Sequence, residues 1–314
     1  MQLRTDIRTR IRWMGSLVLK GQGELSCSIW LEKFSEAIKI VNGAALKMAP
    51  KLILVGTVHY DLQEEQKLEY ILEKTSPSIL ALEFDKKREK MLAEASAPKM
   101  SPEDEGRTLL NTFAEAGIQL NPRQSTALVE SARIMAAVNC FELKKFREYV
   151  CKKPGSRIEY IDITIYEPEQ AQEFSDGCMG MMKASLKEIA KNPELVKPML
   201  EQLDKGADAY LDTIAGSFTL IYENAETMAE LYRMMSDPAQ VEELKTIMPP
   251  EAIQAIQKIY NPARDEAMAG RIRELYNGEG TLVAVMGLAH LHTVGDKVAD
   301  LKPRVITLAD WGTL

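Results

Sequence analysis

Residues 281–292 read Thr-Leu-Val-Ala-Val-Met-Gly-Leu-Ala-His-Leu-His. Thr281 to Met286 is a short apolar run rich in branched side chains, the pattern of a strand buried on both faces of a parallel sheet. It stops at Gly287 and delivers His290 and His292 just beyond its end. An earlier stretch has the same form: Leu52-Ile-Leu-Val-Gly-Thr-Val-His59. Both apolar runs break at a glycine and place a histidine three residues later. The chain contains 3 His, and these two places hold all of them. Open parallel sheets bind ligands outside the carboxyl ends of their strands. His59 and His290 are therefore expected to converge on one site.

Around these strands the chain reads as α/β, with a mixed, largely parallel central sheet. Leu52 to Val55 is one strand and Ile79 to Leu82 another. A helix from about Leu62 to Lys74, with Asp61 as its cap, lies between them and ends at Ser76-Pro77-Ser78. That is a βαβ unit, which predicts a parallel pair. A helix follows from Lys86 to Ala95. After the break at Ala97–Pro102, helical patterns cover Glu103–Ala116 and Gln124–Tyr149. Arg157 to Ile163 reads as a third strand carrying Asp162. Helices are then expected over Glu169–Ala190, Pro193–Lys205, Ala207–Met235 and Pro250–Tyr276, with Pro262 marking a new start or a kink. A helix from Val294 to Leu301 and a strand from Val305 to Leu308 close the pattern. The domain is expected to span residues 48–314, with a large helical insert over about 100–276.

Residues 1–47 differ from the rest. Arg4, Arg8, Arg10, Arg12 and Lys20 make them basic, although the whole chain has a net charge of −7. Met48-Ala-Pro-Lys precedes a strong strand. Residues 1–47 thus read either as an N-terminal extension outside the natural domain, with Met48 as the natural start, or as a docking helix through Trp30, Phe34, Ile38 and Val41. No basic stripe stands out, which argues against a nucleic-acid partner. No apolar run of about 20 residues predicts a membrane helix, and the short piece Trp13–Leu19 makes a poor secretory signal. Cys27, Cys140, Cys151 and Cys178 form no Cys-x-x-Cys pair. They read as reduced, mostly buried thiols in a cytoplasmic protein.

Five segments carry chemistry-bearing residues. In the two Gly-x-x-His segments, imidazole is a common metal ligand and a common general base, and glycine at a strand end lets a ligand approach closely. His292 reads as a third ligand, an outer partner or a surface residue. Glu83, at the mouth of a buried strand, is costly unless paired or ligated, so it is a candidate metal ligand or general base. In the same segment Asp85 reads as a helix cap, and Arg88 pairs with a carboxylate or lies on a solvated face. On spacing alone Arg264-Asp265-Glu266 is a solvated surface, because neighbouring helical side chains point ~100° apart. Asp162, in an apolar strand, needs a partner. Met179, Met181, Met182, Met234 and Met235 read as helix core.

These residues resemble the TraB/PrgY, or pheromone-shutdown, family. Gly56-Thr-Val-His59 is similar to its Gly-Thr-x-His, and Glu83-Phe-Asp85-x-x-Arg88 to its Glu-Leu-Asp-x-x-Arg. Arg264-Asp265-x-x-Met268 resembles Glu-Arg-Asp-x-x-Met, with Ala263 in place of the Glu. Gly287-Leu-Ala-His290 resembles the closing Gly-x-x-His. The resemblance spans roughly residue 50 to the end. It implies function for His59, Glu83, Arg88, Arg264, Asp265 and His290. The chain departs from the family at Tyr160-Ile-Asp162-Ile, where an Asp-Arg-Asp pattern is usual, and no stretch up to Leu314 reads as the C-terminal membrane helices that many members carry. The wider group includes Tiki-like metal-dependent peptidases, erythromycin-esterase-like hydrolases and haem-binding ChaN-like proteins. The resemblance implies their fold, a two-halved α/β architecture with a cleft.

The expected function is a metal-dependent hydrolase, peptidase-like, acting on a peptide or small molecule. His59, His290 and Glu83 would hold Mn, Co or Zn with a position open for water. Arg264, with Arg88, would hold a substrate carboxylate, and Arg264 could instead stabilise the oxyanion. Asp162 or Asp265, and in one reading His292, would orient a ligand from behind. In a metal-free variant, a histidine acts as general base beside Glu83. The rival is a non-catalytic protein that captures a peptide or haem in the same cleft. A third reading is a helical interaction protein. The helical insert could serve as a lid or a homodimer surface.

Overall fold

A computed structural model describes residues 52–59, 64–89, 102–137, 141–163, 168–235, 237–245, 250, 253–254 and 262–313. Residues 1–47, Asp61 and most of the expected helix over 86–95 lie outside this set. The described chain is α/β, built on a five-stranded sheet in which every pairing is parallel. The sheet is thus wholly parallel, where a mixed one was expected.

The strands are β1 (Leu52–Thr57), β2 (Ile79–Leu82), β3 (Arg157–Tyr160), β4 (Leu282–Gly287) and β5 (Arg304–Thr307). Their order is β3-β2-β4-β1-β5. All residues of β1, β2 and β4 are buried, which is why these runs carry no polar alternation. The edge strands β3 and β5 keep exposed positions, Val305 among them.

The order corrects the simple βαβ expectation. β1 and β2 are parallel but not neighbours, because β4 lies between them and pairs with both. The two Gly-x-x-His strands are adjacent, with Gly56 opposite Met286 and Thr57 opposite Gly287. Side by side along one edge therefore end β2, β4 and β1, each followed by a candidate residue.

Helix α1 (Glu64–Thr75) buries Leu68, Ile71 and Leu72, spaced as one helical face. It stops at Ser76, which takes a left-handed φ of 45°. Next come α2 (Pro102–Glu115), α3 (Pro122–Ala137) and α4 (Phe141–Lys152). The expected single helix 124–149 is thus described as two, with residues 138–140 outside the set. Then follow α5 (Pro168–Ala190), α6 (Pro193–Lys205), α7 (Ala207–Glu223), α8 (Ala225–Met235) and α9 (Pro238–Leu244). The expected helix 207–235 is broken at Asn224, whose N–H turns back to the Ile221 and Tyr222 carbonyls. Helix α10 (Pro262–Leu275) starts afresh at its proline.

Helix α11 (Leu288–Lys297) begins directly after Gly287, six residues before the expected start. A 3-10 turn (Ala299–Leu301) takes the place of its expected last turn. Gly56 makes room for α11: a Cβ there would stand 2.7 Å from Leu291 Cδ2 and 2.8 Å from Leu288 Cδ1.

Two apolar clusters result. The larger joins the sheet to α1, α4, α10 and α11. The smaller lies within the helical insert, where Phe113, Ile118, Leu128, Leu186, Met199 and Leu203 meet. Met234 is buried, and Met182 packs against the smaller cluster. Cys151 is exposed rather than buried, as it sits in the last turn of α4. Among the described residues, no helix is long and apolar enough to cross a membrane.

Candidate functional site

The site is assembled where β2, β4 and β1 end together. Glu83 follows β2 by one residue, His290 lies in the first turn of α11 after β4, and His59 follows β1 by two. This is the topological switch of the sheet, because β4 is inserted between strands that the chain laid down earlier.

Glu83 is 6% exposed. Its Oε2 accepts the Gly287 N–H at 2.5 Å, and its Oε1 accepts from Arg264 Nη2 at 2.5 Å. His290 Nε2 stands 3.7 Å from the same Oε1. Burial opposes ionisation of this carboxyl. His290, Arg264, His59 and the Gly287 N–H outweigh burial and hold Glu83 well below the usual carboxylate range.

Arg264 is 4% exposed and Asp265 fully buried. Both belong to the first turn of α10, so the reading of this segment as solvated surface is overturned. Arg264 Nη2 donates to Asp162 Oδ2 at 2.6 Å, and Nε donates to Asp162 Oδ1 and Oδ2 at 3.1 and 3.2 Å. The guanidinium thus bridges two buried carboxylates. Asp265 Oδ1 lies 2.5 Å from His290 Nδ1. The two neighbours diverge as helix geometry requires. One reaches the end of β2 and the other reaches α11. Asp162 lies two residues past β3 and serves Arg264, not a histidine; Asp265 is the carboxylate behind His290.

His59 has its Nδ1 2.7 Å from Glu142 Oε1, which also accepts the Thr57 hydroxyl at 3.0 Å. Its side chain is 40% exposed, so the ring is open to solvent although its Nδ1 edge is closed. Burial opposes the imidazolium, but the Glu142 carboxylate, helped by Glu83, outweighs burial and Arg88 and raises the His59 pKa. A Cβ on Gly287 would stand 3.0 Å from His59 Nε2 and 3.3 Å from Glu83 Oε2. Those two atoms therefore flank one point, which stays clear because residue 287 has no side chain.

Asp85 caps the helical residues 86–89, its Oδ1 accepting the N–H of Lys87 at 2.7 Å and of Arg88 at 3.0 Å. The Arg88 guanidinium lies 4.6 Å above the Phe84 ring. A cleft runs between His59, Glu83, Phe84, Arg88 and Glu142. Its free space of ≈ 20 Å³ has room for about one water.

His292 is not brought into this cluster. Two positions along a helix turn a side chain by ~200°, so the early start of α11 sends His292 away from His290. Its Nε2 is buried without a hydrogen-bond partner, and the hydrogen bonds of the site among the described residues include none from it.

Two residues outside the sequence reading matter. Glu142 lies in Phe141-Glu142-Leu143, a carboxylate on the apolar face of α4, and that misplaced polarity was the available signal. Tyr222, from the helical insert, accepts the Val58 N–H at 3.0 Å alongside Glu64 Oε1 at 3.1 Å. Nothing in the spacing of Tyr222 marks it.

Of the three expected cation ligands, His59 and His290 have suitable donor chemistry. Nε2 of His59 and of His290 point away from carboxylate-bound Nδ1 atoms, as outer carboxylates arrange metal-binding imidazoles. Glu83 does not fit, because both its oxygens are engaged and a guanidinium lies against one of them. Among the described residues, no three His, Cys, Asp or Glu side chains gather to hold a metal ion.

The chain has no match among family models, curated proteins or solved structures.

Proposed function

We propose that the protein is a hydrolase of acyl bonds, with the peptide bond as its first candidate substrate, working by proton transfer at the edge of β1, β2 and β4. We assign the scaffold to the two-halved erythromycin-esterase/ChaN-like architecture and the chain to the TraB/PrgY group. One observation carries the reading. Two imidazoles, each backed by a buried carboxylate, flank a deprotonated glutamate that a buried arginine holds in place.

His59, the exposed member, takes a proton from water on Nε2 as the oxygen attacks the carbonyl carbon, and returns it to the departing nitrogen. Glu142 and Glu83 stabilise the imidazolium formed in between. Arg264 keeps Glu83 aligned and is itself held by Asp162. Arg88 lies at the cleft wall, where a substrate carboxylate would meet it. His290 with Asp265 is the second proton-transfer pair. Because the His59 pKa is raised, the base-catalysed rate rises with pH through a value above the ordinary 6.5.

The fourfold order of Gly56–His59, Glu83–Arg88, Arg264–Met268 and Gly287–His290 along the chain supports the same reading, since residues from all four segments border one sheet edge. A carboxylate beside the histidines is what hydrolysis needs and simple haem capture does not.

The test pairs a fluorogenic peptide library with elemental analysis of protein purified without chelator, wild type beside His59→Ala and His290→Ala. Hydrolysis that both substitutions abolish, unchanged by a chelator, supports the proposal. Near-stoichiometric Mn, Co or Zn lost in both variants would replace it with the metal-dependent mechanism. Peptide or haem binding without turnover would replace it with the binding protein.

A further inference from the structure

We infer that Glu142 is the positioning residue of His59: it fixes the imidazole so that a single ring proton sits on Nδ1 and a bare Nε2 faces the cleft. The inference deepens the hydrolytic reading and rests on it for its catalytic consequence.

Glu142 comes from α4, outside both Gly-x-x-His segments and 83 residues from His59. It is 3% exposed. Phe141, Leu143, Phe146 and Tyr149 bury α4 against the core around it, so the carboxylate cannot swing out to water. Its Oε1 is met from two sides. Thr57 Oγ1 is 3.0 Å away and His59 Nδ1 2.7 Å away. Thr57 has one hydroxyl proton and two acceptors in reach, Glu142 at 3.0 Å and the Met286 carbonyl at 3.4 Å. The shorter contact assigns that proton to Glu142. Thr57 is held in register opposite Gly287, so the oxygen it points to is placed by the sheet itself.

A carboxylate oxygen accepts and does not donate. The ring nitrogen against it must therefore carry the hydrogen, which leaves the lone pair on Nε2. That nitrogen is the one beside Gly287 and Glu83. The opposite tautomer would point a lone pair at a carboxylate and a hydrogen at the attacking water, and the base would be lost. The charged groups acting on the ring are Glu142, Glu83 and Arg88. Of these, the hydrogen bond is to Glu142.

The experiment is a two-bond proton–nitrogen spectrum of the full chain with ¹⁵N-labelled histidine, at about pH 9 where a lone imidazole is neutral. Wild type, Glu142→Ala and Glu142→Gln are compared. The wild type is expected to show His59 with a protonated Nδ1 and a bare Nε2. Glu142→Ala is expected to mix the two tautomers and to lower kcat/KM on any peptide found in the library by about 10²–10⁴-fold. Glu142→Gln brings an amide N–H that can donate to Nδ1 in place of an acceptor, so it is expected to move the ring proton to Nε2 and to lower kcat/KM as Glu142→Ala does. A wild-type His59 protonated on Nε2 overturns the inference whatever the variants do. So does a folded Glu142→Ala protein with the wild-type tautomer. These readouts need no substrate. A mixed tautomer in Glu142→Ala beside a wild type that hydrolyses nothing would overturn the hydrolytic reading alone.

Discussion

Arg264→Leu takes the guanidinium from between Glu83 and Asp162 and leaves two nearly buried carboxylates facing each other. Breaking a buried pair by removing one partner costs about 3–5 kcal/mol. The loss does not double for two acids, because one of them can escape by taking up a proton. A carboxyl of ordinary pKa is protonated at pH 7 for about 4 kcal/mol, which caps the penalty near the same figure. For a domain of this size 1 kcal/mol moves Tm by about 2–4 °C, so a fall of roughly 10 °C is expected. The pH dependence follows from Glu83. Its folded pKa is depressed, so it contributes stability that is fully present above the unfolded value near 4.3 and is lost as pH falls through and below it. In the variant this contribution disappears and the folded state accepts protons more readily. The gap between wild type and variant is therefore widest at pH 7 and narrows towards pH 4. Urea melts followed by far-ultraviolet circular dichroism at both pH values measure it. A variant within about 1 kcal/mol of wild type at pH 7, or a gap that widens on acidification, would refute the reasoning.

Gly287→Ala tests the shared point between His59 and Glu83. The backbone there, at φ −57° and ψ 141°, suits alanine, so Tm should move by less than about 3 °C. Peptide hydrolysis should fall at least about tenfold as the Cβ displaces His59 Nε2 or Glu83 Oε2. Unchanged turnover would show that the two groups do not act across this residue. Gly56→Ala should instead cost about 1–3 kcal/mol by overpacking α11, read as a lower urea midpoint. His59→Ala removes a group whose raised pKa stabilises the fold below about pH 6.5 and stops doing so as pH rises through the folded value. The difference in melting temperature from wild type should accordingly be larger at pH 6 than at pH 9, and the reverse order would contradict the pairing with Glu142.

Much was legible in the sequence because it depends on local chemistry. The runs 52–55, 79–82 and 281–286 are apolar on both faces, and such runs are stable only inside a parallel sheet covered on two sides. Gly56 and Gly287 end those runs, and a carboxylate after Leu82 demands a partner. Hence the α/β class and the candidates His59, Glu83 and His290. The tertiary structure alone decided that β4 enters between β1 and β2, because pairing across more than 200 residues leaves no mark in either strand. That insertion brings the three strand ends together. Burial of Arg264 and Asp265 was equally invisible: their segment is charged, and its cost is met by acids and an imidazole that arrive after β2, β3 and β4. Glu142 and Tyr222 came from helices far along the chain. His292 was sent away because the helix began at Leu288, and a two-residue step in a helix reverses a side chain that a loop would have left beside His290.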